Sequence, residues 1–144
     1  MITLFDCQWI ISRLKTQVSG LKLVAGAADL ASASADLKQT PSAFVIPVGD
    51  RASGNRTGTM VVSQNNVTRF AVILAVQNLR DPRGEKAKSD LRIVRASVCN
   101  ALHGWQPNTE FDPVEYSQGR LLRMTNQVLL WQDEFATSHE IRSL

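Results

Sequence analysis

The stretch from Thr68 to Gln77, TRFAVILAVQ, alternates in two registers at once. Phe70, Val72, Leu74 and Val76 fall on one side, and Ala71, Ile73 and Ala75 on the other. A period of two describes a strand, because successive side chains of a strand point to opposite faces of the sheet. The large side fits against a layer of helices. The mostly small side needs cover too, from another layer of the same chain or from another subunit. A domain of 144 residues rarely has helices enough for both faces of a sheet, so Ala71, Ile73 and Ala75 are candidate subunit-interface positions.

Around this strand the chain divides into short periodic segments. Cys7, Ile10, Ile11, Leu14 and Val18 follow three-and-four spacing, which predicts a helix from Thr3, as N-cap, to about Ser19, with Gly20 ending it. Leu21 to Ala25 reads as a short strand and Ala27 to Ala35 as a short alanine-rich helix. Ala43 to Val48 reads as a strand, with Pro47 at an edge or at its end because proline cannot donate to a ladder. Gly49 to Thr59 has glycines, two arginines and almost no apolar anchor, so a long mobile loop is expected there. Met60 to Gln64 and Thr68 to Gln77 then form two strands joined by a bend at Asn65 and Asn66.

Asp81 before Pro82 makes a helix start, and Ala87, Leu91, Val94, Val98 and Leu102 carry the apolar stripe to His103, with Gly104 as the stop. Further strands are expected over Pro113 to Ser117, Arg120 to Met124 and Gln127 to Thr137. The polar end from Ser138 to Leu144 would fray or dock on a neighbour, which gives one domain over 1–137 and a tail over 138–144.

Apolar residues make up 44% of the chain, the charge is +3 and the pI about 9.2. That is an ordinary globular composition, with no apolar run able to span a bilayer and no basic region of a secretory signal at the start, so a cytosolic protein is expected. Cys7 and Cys99 lack the spacing of a metal or redox pair and read as small buried apolar residues in a reducing compartment. The basic residues are spread along the chain, which permits contact with nucleic acid without arguing for sequence reading.

Catalysis needs a nucleophile, a base and a group to orient it, or a metal shell, and no such set assembles. His103 reads as a helix-end residue and His139 as a surface one. Asp133 and Glu134 are adjacent on a strand, so they point to opposite faces and share no metal; both are expected near its exposed end. Glu110, Asp112 and Glu115 read as a solvated loop. No cofactor, metal site or catalytic residue is expected.

The order of features is more telling than any motif. The AADLASASAD segment, PSAFVIPVGD, the arginine- and glycine-bearing loop, RFAVILAVQN, the helix closing in ALHGWQP, and the final YSQGRLLRM and VLLWQDEF follow one another in a way that resembles the tail terminator proteins of long-tailed bacteriophages, over about residues 1–137. The resemblance implies an α/β (α+β) domain whose mixed, mainly antiparallel sheet packs on two main helices. It implies a non-enzymatic virion protein, made in the host cytoplasm, that assembles as a hexameric ring on the head-proximal end of the tail tube. There it would halt polymerisation and join the head, with the tail tube protein and head-tail connector or neck proteins as partners, and with DNA passing through the lumen. On that reading Arg51, Asn55 and Arg56 are candidate docking or lumen residues, as is the polar tail from Ser138. The competing readings are another neck or head-completion protein, and a nucleic-acid-binding α/β domain.

Overall fold

In the computed structural model, which describes residues 2–29, 40–78 and 85–143, the first helix starts at Asp6 rather than Thr3. The Asp6 carboxylate accepts from the Gln8 backbone N–H at 2.9 Å and caps α1, Cys7–Gln17. Thr3 is engaged elsewhere: its carbonyl meets His139 Nε2 at 2.8 Å. Val18 leaves the helical region at φ −118° and ends α1 before Gly20 is reached.

The sheet has five strands in the order β1-β2-β3-β5-β4: β1 Leu23–Gly26, β2 Ser42–Ala52, β3 Ser63–Gln77, β4 Glu115–Met124 and β5 Val128–Arg142. β1 runs parallel to β2 and every other pairing is antiparallel, so the sheet is mixed and mainly antiparallel. The segment after β1 makes one 3₁₀ turn, Ala27–Asp29; the rest of the helix expected there lies outside the described residues. The expected cap at Asp81 and Pro82 lies outside them too.

β3 is the central strand, and it is longer than its apolar alternation. No bend occurs at Asn65 and Asn66. Those residues pair with Glu140 and His139 of β5, and Asn66, buried, donates through Nδ2 to Asp50 Oδ1 at 3.2 Å. Cross-strand pairing and a side-chain partner outweigh the turn preference of asparagine. The two strands expected over 113–124 are likewise one, β4, which absorbs irregularities between Tyr116 and Gln118 and between Leu121 and Arg123 instead of turning. Pro47 sits beside the irregularity in β2, on the stretch that β1 does not pair, as its missing N–H requires.

Both described helices lie on the side of Phe70, Val72, Leu74 and Val76. α1 contributes Ile10, Ile11 and Leu14, and α2, Glu85–Leu102, contributes Ala87, Leu91, Val94, Val98, Ala101 and Leu102. Ile10, Leu14, Val98 and Leu102 are fully buried, each worth about 1.5–3 kcal/mol of transfer free energy. Gly104, at φ +79°, supplies the left-handed residue that stops α2. Arg13 Nε donates to the Ala101 carbonyl at 2.9 Å while its guanidinium lies 5.0 Å from the centre of the Trp105 ring, and so ties α1 to the end of α2.

Candidate assembly surface

Beyond Val45 the strand β2 has lost β1, and beyond Ala136 the strand β5 has lost β4, so β2, β3 and β5 run on together as a three-stranded arm. Ser138 to Arg142 are therefore not a frayed tail but the last part of β5, paired with Val67 back to Ser63. His139, expected at the surface, is buried: its ring stacks on Phe111 at 3.9 Å. Phe111 also packs edge-on against Phe5 and Trp9, and Phe5 stacks on Phe70 at 5.1 Å, so an aromatic cluster holds the chain before α1 against the arm.

The tip of the arm, residues 53–62, has no apolar anchor yet is closely hydrogen-bonded. Asn55 Oδ1 accepts from Ser63 N at 2.9 Å and from Thr57 N at 3.1 Å, and the Thr57 hydroxyl bonds the Val61 carbonyl. Side-chain oxygens do here what buried surface does elsewhere, which is why composition alone suggested mobility. Met60, at 98% exposure, stands out from the tip.

The carboxylate of Asp133, expected near an exposed strand end, is completely buried in mid-strand on the helix side. Arg95 reaches it with Nε at 3.0 Å and Nη2 at 2.9 Å, the Tyr116 hydroxyl donates at 3.0 Å and Trp131 Nε1 at 2.9 Å. The Arg95 guanidinium also lies 4.5 Å from the centre of the Trp131 ring. The hydrogen bond to Asp133 holds the Arg95 pKa above its ordinary value, and desolvation, followed by that carboxylate, raises the Tyr116 phenol. Gly119 completes the arrangement, because a Cβ there would lie 2.6 Å from Asp133 Oδ1. The clamp fastens α2 to β4 and β5. A lone aspartate after VLLWQ carries no sign of it, although its tryptophan two residues earlier and an arginine on the best helix were both in view. Among the described residues no group of three or more His, Cys, Asp or Glu side chains could hold a metal ion, and no described helix is long and apolar enough to cross a membrane.

All ten residues of β4 are exposed, Leu121, Leu122 and Met124 among them at 49, 38 and 38%. A groove of about 490 Å³ opens where the segment before β4 crosses β5, lined by His103, Asp112, Glu115, Thr137 and Ser138 among others. The model of the phage tail terminator protein family matches residues 1–143.

The chain belongs to the phage tail terminator family. Tail terminators are structural proteins rather than enzymes, and this one is a component of the virion tail. A chain in the virion of a native gene transfer agent particle shares the fold, with a TM-score of 0.56 over 94% of each chain at 10% identity. No curated protein matches the terminator chain in sequence.

Within the terminator the candidate residues are not equivalent. Arg51 belongs to β2, opposite Val67, while Arg56 is on the tip, its backbone N–H bonded to the Ser63 carbonyl. Both are exposed; Asn55 is the residue that shapes the tip. Ala71, Ile73 and Ala75 share the face away from the two helices and are 0, 4 and 1% exposed within the single chain. Ile73 and Ala75 cluster there with Phe44 and Val128, and the half-buried Ile46 and Leu130 pack around them. Any neighbour on this face would touch the half-buried Ile46 and Leu130 before it touched the three more deeply buried residues. Cys7 and Cys99 are half-buried free thiols whose pKa values burial raises.

Proposed function

We propose that this terminator caps the head-proximal end of the tail tube as a hexameric ring, stops tube polymerisation and offers the surface on which the head is joined. The observation that carries the reading is β4: ten exposed residues, paired on one side only, with leucines and a methionine in the open. A long unpaired edge with apolar side chains is a template for association unless something covers it. The stretch of β2 beyond Val45 is a second unpaired edge on the opposite side of the sheet. Contacts that join two different surfaces of one chain close into a ring when the rotation allows, and a ring leaves no lateral edge free.

A tube grows because each layer offers the next the same docking face, so a terminator must match that face on one side and withhold it on the other. Arg56 on the tip is assigned to docking on the tube or to the lumen through which DNA passes. The face of Ala71, Ile73 and Ala75 is assigned to the subunit contact, through Ile46 and Leu130. Neck or connector proteins take the opposite rim. Mass measurement over a concentration series, alone and with assembled tail tube, tests the reading. A hexamer and tubes of limited length are expected; a monomer that leaves tube growth unchanged would overturn it. Arg56→Ala should weaken binding to tube ends without unfolding the chain, and unchanged binding would remove the tip from the docking surface.

A further inference from the structure

On the face of the arm turned away from the helices, apart from the Glu140–Arg142 ion pair towards the end of β5, charge is divided into two halves. Residues directly opposite one another in a ladder share a face. One row across the strands reads Gly49, Arg69, Ala136, Glu115, and the next reads Arg51, Val67, Ser138. The second row ends on Asp112, whose backbone N–H bonds the Ser138 carbonyl at 2.8 Å and whose carboxylate accepts from the Ser138 hydroxyl at 2.8 Å. Arg51 on β2 and Arg69 on the adjoining β3 thus occupy one half, and Asp112, just before β4, and Glu115, its first residue, the other half, of one surface.

All four residues are exposed, and among the described residues none of the four is in an ion pair. Glu134, in the neighbouring row between Ala71 and Gln118, adds a buried carboxylate that, among the described residues, is met by the Ser117 hydroxyl at 3.4 Å and the Gln118 amide at 3.2 Å. The acidic flank is the wall of the groove described above.

We infer that this divided surface is a head-to-tail contact between copies of the chain, with Arg51 and Arg69 of one copy seated against Asp112 and Glu115 of the next. The inference rests on the ring reading and adds a charged contact to the apolar one assigned there to Ile46 and Leu130. Two features of the sheet fit it. The rows that carry the arginines also carry the acids, so copies set side by side bring the opposite charges level. Strand directions alternate from β2 to β4, so the β4 edge of one copy runs antiparallel to the free β2 edge of its neighbour. A nucleic-acid backbone is the other ligand that unpaired arginines attract, but Asp112, Glu115 and Glu134 on the same face would repel it.

Charge exchange tests the contact on the full chain. Arg51→Glu with Arg69→Glu, or Glu115→Arg alone, should raise the midpoint concentration of assembly roughly tenfold or more. The combined Arg51→Glu, Arg69→Glu, Asp112→Arg, Glu115→Arg chain should return it to near the wild-type value, with thermal unfolding of the monomer little changed throughout. Assembly that weakens with salt is expected as well. Wild-type rings with variants that assemble equally well would overturn this contact and leave the ring standing. A wild-type chain that stays monomeric would overturn both readings. Loss of DNA binding with assembly intact would assign the arginines to nucleic acid instead.

Discussion

Asp133 is a fully buried carboxylate that stands because four donors from three side chains converge on it. Removing one partner of such a set costs more than the set contributes, because the remaining polar groups are left desolvated and unpaired. Asp133→Ala should therefore destabilise the chain by about 3–5 kcal/mol in denaturant unfolding. Gly119→Ala should cost about 1–3 kcal/mol, since its Cβ must displace atoms that are held in place from several directions. Partly buried thiols and a phenol set an alkaline limit. Cys7, Cys99 and Tyr116 all have folded-state pKa values raised above the ordinary 9.0 and 10.0, so the unfolded chain ionises first as pH rises. Their contribution is complete at neutral pH, begins to fall near the ordinary thiol value and is lost as the raised values are passed. Unfolding midpoints measured from neutral pH to about 11 should decline on that side, and the decline should be shallower in Cys7→Ser, Cys99→Ser, Tyr116→Phe.

The elements that could be read in the sequence are those that face the helix layer. Phe70 to Val76 and Ala87 to Leu102 carry apolar periods because each period has a packing partner, and both lie where they were expected. The arm was not legible. Once the helices no longer cover it, Asn66, Thr68, Thr137 and His139 occupy the inward positions of its strands, and the ladder is held by backbone pairing that leaves no apolar trace. Asn65 and Asn66 then resemble a turn, and Ser138 to Arg142 a loose end. The aromatic cluster leaves no sequence pattern for a related reason: Phe5, Trp9, Phe70, Phe111 and His139 meet only once the chain is folded. Phe111→Ala, at a residue 1% exposed, should cost about 3–5 kcal/mol and speed amide exchange in the segment before α1 as well as in the arm.

At the scale of the molecule, protection of the backbone should follow strand order. β3, paired on both sides, should exchange its amides slowest. The outward N–H groups of β4 should exchange quickly in the isolated chain and slow markedly once copies or tail partners cover that edge. Hydrogen exchange on free and assembled protein reads this directly, and an edge that stays fast after assembly would show that β4 faces solvent in the virion.

β3 and β5 pair without interruption for all fifteen of their residues, so together they span about 50 Å as one ruled scale. Such a scale can be lengthened only in steps of two. A matched pair of residues added to both strands would stretch the molecule by about 7 Å and keep every side chain on its own side. A single added residue would turn Arg69 inward toward the aromatic cluster and Phe70 out into water, so relatives that reach different heights are expected to differ by even numbers here.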